Sequence, residues 1–309
     1  MALLTPNATA KMNGVTVHEK IIPDGTRWKD AAKATKAGFS AGSLYKAQKK
    51  LCGTGKPKFV TIHNTDDLDN VHDDGEQYTR ATYNENMNST RVHFYVDDVG
   101  AWQNLKAGAG IFPSDPVGSA EVSWHSGDGN TPDGGNLTSL SIEIIMNDNA
   151  DHDAKAKDNG ARVAAWLLWK HGLTVDSLVT HTYWVNKSAG KKFSDADKQS
   201  TNRVSGKKWC PAYIFASTNQ TTAQANWKAF KKLVQGYLDE LSGTKKNPSG
   251  GNSGRSYRVS VTSEVDVYSA PAVAKIKDKG VYTIVEEKNG YGKLKSGLGW
   301  IKLSDVKKV

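Results

Sequence analysis

The stretch Phe59-Val-Thr-Ile-His-Asn-Thr65 decides how this chain folds. Phe59, Val60 and Ile62 supply the aromatic and β-branched content of a buried strand. Lys56-Pro57 before it and the Asp/Asn-rich run from Asn64 to Asp74 mark its ends. In an α/β sheet the C-terminal ends of strands present chemistry to solvent, and His63 sits at that end. A single histidine there is most often a satisfied polar residue, so the reading turns on what else the chain brings to it.

Two later positions matter. His181 follows closely on Leu178-Val179, and Cys210 lies in Lys207-Lys-Trp-Cys-Pro211. Two imidazoles and a thiolate make a three-ligand tetrahedral zinc site with the fourth position open, the pattern of catalytic rather than structural zinc. Such a site acidifies water to a pKa near ~7. It then needs a base, and a cation beside the oxyanion that develops at an attacked carbonyl. Glu143, in Leu140-Ser-Ile-Glu-Ile-Ile-Met146, is the candidate base; without the trio it reads as a solvated carboxylate on a sheet face. Lys208 is the candidate cation, because an extended backbone puts positions 208 and 210 on one side. Its bland alternative is an ordinary surface lysine. His93 and His125 are rivals for the metal. His93, beside Phe94 and Tyr95, reads as a packing or substrate-proximal residue, and His125, after Trp124 in a Gly-rich stretch, suits a cleft wall. His93, Trp124 and His125 are therefore expected near substrate and not as ligands.

Outward from the central stretch, Val15 and Val17 suggest a short strand, with helices over Trp28 to Ala37, Gly42 to Leu51 and Gln77 to Met87. Val92 to Asp97 and Ala101 to Leu105 read as a hairpin around a turn at Asp98–Gly100, and Leu140 to Met146 as a buried strand. Ala154 to His171 is helical by its alanine and leucine spacing, with Gly172 as a stop. Leu178 to His181 opens a loop, and 184–206 is a long polar insertion, read as a lid or substrate wall. A final helix carries Trp227, Phe230, Val234, Tyr237, Leu238 and Leu241 on one stripe.

Residues 243–256 are Gly/Ser-rich, the composition of a flexible linker. Beyond them, runs at Tyr257–Val261, Val265–Tyr268, Val281–Val285, Tyr291–Leu294 and Trp300–Leu303 are spaced like the strands of a small barrel. The division expected is 1–242, 243–256 and 257–309. The formal charge of +9 is uneven: residues from Gly243 onward hold 13 Lys+Arg against 6 Asp+Glu, and the first 242 hold 28 against 26. A basic module of net +7 seeks an anionic polymer. Its charge is mostly lysine without interleaved stacking aromatics, which argues against nucleic acid as the partner. Two cysteines exclude a disulfide scaffold. A Cys52–Cys210 bridge would leave both histidines unexplained, so Cys210 is preferred as a thiolate ligand and Cys52 as a bystander. No window reaches the ~18 apolar residues of a transmembrane segment. Met-Ala-Leu-Leu-Thr-Pro is not a secretory leader, so if the protein works outside the cytoplasm something else is expected to let it out.

Ile62-His-Asn-Thr65, Val92-His-Phe-Tyr-Val-Asp-Asp98, Trp102-Gln103, Trp124-His-Ser-Gly-Asp-Gly129, Ser141-Ile-Glu-Ile144 and Lys208-x-Cys-Pro211, taken in order, resemble the zinc-dependent N-acetylmuramoyl-L-alanine amidases. These are the peptidoglycan-recognition-protein and phage-lysozyme-like family, and the flavour is that of endolysins from phages and prophages of Gram-positive bacteria. The resemblance spans about residues 55–240. It implies an α/β domain with a mixed central sheet flanked by helices, with His63, His181 and Cys210 on Zn2+, Glu143 as acid/base and Lys208 as the polarising residue. It also implies peptidoglycan as substrate and anionic wall polymers as partners. Some members place a tyrosine directly before the histidine of the second strand, where this chain has Val92, so Glu143 must serve instead. The gap from His181 to Cys210 is also far longer than in compact members. Gly299-Trp-Ile-Lys302 gives the tail a resemblance to bacterial SH3-like wall-binding domains. Other readings compete: a recognition module that does not cut, which leaves the trio and Glu143 unused, a wall endopeptidase, and a glycosidase, which needs paired carboxylates and no metal.

Overall fold

In a computed structural model of the chain, the described residues are 4–21, 49–65, 74–83, 91–146 and 149–243, and within the tail 257–261, 265–269, 272–276, 280–288, 291–295 and 300–308. The helix expected over Trp28 to Ala37, most of that over Gly42 to Leu51, and the linker lie outside them. Two compact units divide the chain, Met1–Lys245 and Lys246–Val309.

Seven strands form the sheet of the first unit. They are β1 (Ala8–Met12), β2 (Val15–Glu19), β3 (Phe59–Asn64), β4 (Phe94–Val96), β5 (Ala101–Gln103), β6 (Ser139–Ile144) and β7 (Leu178–Thr180). Their order is β1-β2-β5-β4-β6-β3-β7. The sheet is mixed: β3 runs parallel to both β6 and β7, and β4 runs parallel to β6. The β4–β5 hairpin and the β1–β2 edge are antiparallel. β1 was not expected, and β4 and β5 are shorter than the runs read as strands.

Strand alternation separates core from chemistry. Val60 and Ile62, Phe94 and Val96, and Leu140, Ile142 and Ile144 all join the main hydrophobic core. With a period of two, the intervening His63, Tyr95, Ser141 and Glu143 share the opposite face. Register places His63 beside Glu143, and Glu143 beside Tyr95, in one row across three parallel strands.

Among the described residues, the α-helices of this unit are α1 (Gly75–Tyr83), α2 (Gly135–Thr138), α3 (Ala150–Lys170), α4 (His181–Ser188), α5 (Ala196–Thr201), α6 (Ala212–Phe215) and α7 (Gln220–Ser242). α3 lies across the apolar face and meets strands β1 to β4 and β6. Asn149 caps it by accepting from the Asp151 and His152 amides, and Asp151 and Asp153 suit the positive end of its dipole. Gly160 lets the helix settle on β6, since a Cβ there would stand 2.4 Å from Ile144 Cδ1. α7 packs on α3 through its expected stripe, with Trp227, Phe230, Val234 and Leu238 buried. Each such side chain contributes about 1.5–3 kcal/mol of burial.

The segment after His181 corrects the reading of a loop followed by a polar lid. It folds into α4 and α5, and Trp184 is fully buried. The Trp184 indole N–H donates to Thr61 Oγ1 at 2.8 Å, and its ring meets Phe59 edge-on. Asn186 donates to the carbonyls of Gln199 and Asn202, and Lys231 of α7 pairs with Asp197 at 2.9 Å. The insertion is therefore part of the domain's packing.

The second unit holds β8 (Tyr257–Val261), β9 (Val265–Ser269), β10 (Ala272–Ile276), β11 (Gly280–Lys288), β12 (Tyr291–Leu294), β13 (Trp300–Lys302) and β14 (Lys307–Lys308). All its pairings are antiparallel, in the order β10-β9-β13-β12-β11-β8-β14. Ile284, Leu294 and Ile301 form its small core.

Candidate metal centre and active site

β3 carries His63 to the end of the sheet, where it is 3% exposed. β7 pairs with β3 through Ile62 and Thr180, so the next residue, His181, starts α4 directly beside His63. The two imidazole centroids are 4.7 Å apart. Cys210 arrives from 29 residues further along the chain and is held there by Thr182. The Thr182 hydroxyl accepts from the Cys210 amide at 2.9 Å and donates to the Cys210 carbonyl at 3.0 Å, and the Thr182 amide donates to the same carbonyl. Asn64 adds a second tie, accepting from the Ile214 amide at 3.1 Å. The insertion thus returns Cys210 to the residue that follows His181, and its length does not separate the two.

One donor atom from each of His63, His181 and Cys210 lies within 4.8 Å of the others, and this is the one such cluster of His, Cys, Asp and Glu among the described residues. The set fits a tetrahedral zinc site in its chemistry. Two further observations bear on that fit. His181 Nδ1 is buried without a hydrogen-bond partner, a cost that a metal would relieve. His125 Nε2 lies 3.2 Å from the Gly135 carbonyl, which accepts only, so Nε2 carries the proton and Nδ1 accepts. His63 Nε2 is 2.9 Å from that Nδ1 and must donate to it. The His63 Nδ1 lone pair is left for a metal.

Burial keeps these rings neutral, as ligation requires. His63 is held well below the ordinary imidazole range by burial first, then by His181, His125 and Lys208. His181 is pushed down to about 3 by burial, Lys208 and His125, against a backbone hydrogen bond at Ser126. Glu143, partly buried in the row beside His63, is raised to about 7 by burial, with Lys208 pulling it back down. Lys208, exposed itself, acts electrostatically on both histidines and on the carboxyl.

The three residues expected near substrate are placed as follows. His93 is fully buried; its Nδ1 accepts from the Ser141 amide at 3.0 Å and its Nε2 donates to the Glu121 carbonyl at 2.9 Å. With both nitrogens engaged it is a packing residue and not a substrate contact. Trp124 belongs to the main core. His125 is buried behind His63 and not set in a wall. Cys52 and Cys210 are both free thiols. Sequence reasoning missed Thr182 and the supporting role of His125, neither of which has a local signal.

A mixed α/β domain that gathers two imidazoles and a thiol, with a partly buried carboxyl in register beside one of them, is a candidate metallohydrolase. Residues 53–213 match the N-acetylmuramoyl-L-alanine amidase family, just over half of the chain, and the chain belongs to that family. It is 34% identical over 141 residues to the N-acetylmuramoyl-L-alanine amidase XlyA of Bacillus subtilis (strain 168), covering 45% of this chain. The match spans 41% of that relative's length. Among solved structures, the catalytic domain of XlyA is similar at 23% identity and a TM-score of 0.43, over 71% of this chain and 98% of that one. The catalytic domain of PlyG is similar at 22% identity and a TM-score of 0.44, over 76% and 99%. No described helix is long and apolar enough to cross a membrane.

Proposed function

We propose that this chain is a peptidoglycan hydrolase that cleaves the amide between N-acetylmuramic acid and L-alanine, with zinc held by His63, His181 and Cys210. The convergence of those three donors within 4.8 Å, with Glu143 in register beside His63, carries the proposal. Zinc bound there supplies Lewis acidity at an open position, which polarises a carbonyl and acidifies water. Glu143, poised at about 7, takes a proton from the attacking water and returns it to the leaving alanine nitrogen. Lys208 places a positive charge where the carbonyl oxygen becomes negative, and holds Glu143 towards its ionised form. His125 fixes the His63 ring, and Thr182 fixes the Cys210 backbone.

The finer identity is that of an endolysin of phage or prophage origin, released with the help of a holin. Its tail is an SH3-like module with net charge +7 that anchors the enzyme to anionic wall polymer. A tethered anchor raises the local concentration of the catalytic unit without new contacts at its active site. Metal analysis of the purified protein tests the centre: one zinc per chain is expected, lost in Cys210→Ala and His63→Ala, with lysis abolished by chelator and restored by zinc. Full lysis by demonstrably zinc-free protein would refute it.

A further inference from the structure

Away from the metal-binding cluster, a hollow of about 850 Å³ opens where β3 and β6 begin. Lys49, Lys50 and Lys58 stand exposed around it, and the buried Val122 and Thr138 lie beneath. Among the described residues no aspartate or glutamate lines it. Asp133, outside the lining, pairs with Lys58 at 3.6 Å, but both side chains are more than half exposed and water screens the pair. Glu121, paired through its backbone with Lys50, is buried and lies 4.0 Å from Lys106. The backbone that carries the three lysines is anchored on both sides. The Val122 amide donates to the Lys49 carbonyl at 3.0 Å, the Leu51 amide to the Ala120 carbonyl at 2.9 Å, and the Lys58 amide to the Thr138 carbonyl at 2.8 Å. Between them the chain turns through Cys52 and Gly55 at positive φ, and Gly55 sits so near Gly118 that a Cβ would meet its carbonyl oxygen at 2.0 Å. Counted from Lys58 and Thr138, His63 and Glu143 are five residues further on, about 16 Å along extended strands.

We propose that this hollow binds a phosphodiester polymer of the cell wall, as a second anchoring site on the catalytic unit itself. The wall as the source of the polymer rests on the amidase reading above, whereas the preference for a phosphate chain rests on the hollow alone. Three cations around a cleft without acids are complementary to an anion. Lysine ammonium groups act as point charges and serve phosphate, and the planar arginine fork that selects carboxylates is missing from the lining. Flexible stems around an open rim read charge more than shape, which suits a repeating polyanion over one discrete ligand. The hollow lies at the opposite end of the strands from His63 and Glu143, so its occupant leaves the active site open during cleavage. With the basic tail as a second contact, attachment to the polymer becomes bivalent and outlasts either contact alone.

Cys52 lines the same hollow and reports its occupancy. The chain has two cysteines, and Cys210 is only 3% exposed. Alkylation of Cys52 by iodoacetamide, followed by peptide mass spectrometry on the zinc-loaded full chain, therefore reads this site and not the tail. A glycerol-phosphate oligomer, at about ten times the dissociation constant found in its own titration, should slow that alkylation about tenfold, as occupancy requires. Added salt should release the protection, and an uncharged dextran should give none. The variant Lys49→Gln/Lys50→Gln/Lys58→Gln should lose the protection while keeping its zinc and its cleavage of a small soluble muramoyl-peptide. No protection in the unaltered chain, equal protection by dextran, or equal protection in the variant would overturn the assignment. So would stronger protection by a DNA oligonucleotide of equal charge, which would give the hollow to nucleic acid. Failure of the amidase reading is seen separately, as walls that gain no alanine amino groups.

Discussion

His63 Nε2 and His125 Nδ1 lie 2.9 Å apart, and the proton between them belongs to His63 because His125 Nε2 donates to Gly135. A residue 62 positions away therefore sets which nitrogen of the candidate ligand faces the metal. His125→Phe should leave the fold intact and weaken zinc binding by about 10–100-fold, the usual effect of removing a partner behind a ligand. Competition against a chelating dye measures it. An unchanged zinc affinity would make His125 a filler residue only.

Thr182 ties the two ends of the insertion together. Thr182→Val leaves the Cys210 amide and carbonyl without their hydroxyl partner, at a cost of about 1–3 kcal/mol in unfolding free energy. Thr182→Ser should recover most of that loss and Thr182→Val should also bind zinc more weakly, as urea titration with and without metal will reveal. Equal stability of the valine variant and the parent would contradict the tie.

The base and the cation are separable from metal binding. Glu143→Ala should keep its zinc and lose roughly 10²–10⁴ in rate. Lys208→Ala should keep its zinc and lose about 10²–10³. Turnover near the parent level in either variant returns that residue to an ordinary surface role.

His93 gives the metal-free chain a pH-dependent stability. Burial holds its pKa at about 3, below the ~6.5 of an exposed imidazole. Between those values the unfolded chain binds the extra proton, so stability rises with pH through the window and falls as pH drops. The contribution is about 1.4 kcal/mol per pH unit. In His93→Gln the slope of stability against pH between 6.5 and 4.5 should flatten by that amount. An equal slope in both proteins would assign the dependence elsewhere.

The tail is tested by removal. Deleting residues 243–309 should weaken binding to intact cells and slow their lysis, while cleavage of a small soluble muramoyl-peptide stays nearly unchanged. Binding by the intact chain should fall as salt rises through the physiological range, where screening acts over ~8 Å. Equal cell binding by the truncated chain, or an isolated tail that prefers nucleic acid to wall, would count against an anchoring module.

The centre of this domain was readable because burial wrote it into the sequence. Val60 and Ile62, and Leu140, Ile142 and Ile144, alternate with the polar face, so His63 and Glu143 could be placed at strand positions before any contact was known. α3 and α7 were readable from their apolar spacing for the same reason. The insertion was not, because what α4 and α5 bury is mostly polar, Thr182, Asn186, Gln199, Ser200 and Thr201 around the single large apolar Trp184, so no apolar stripe marks them. The surroundings of His93 and His125 were not legible because partners 28 and 62 residues away decide them. β1 escaped notice because Ala8-Thr-Ala-Lys-Met12 has little strand propensity and relies on pairing with β2.

The central claim is the identity of the bond that is cut, and end-group analysis of digested peptidoglycan tests it most directly. Cleavage at the muramoyl-alanine amide frees one new α-amino group on alanine per event and creates no reducing sugar. The account predicts a rise in amino-terminal alanine that tracks lysis, with reducing ends unchanged. Lysis accompanied by new reducing ends, or by new amino termini on residues other than alanine, would contradict it.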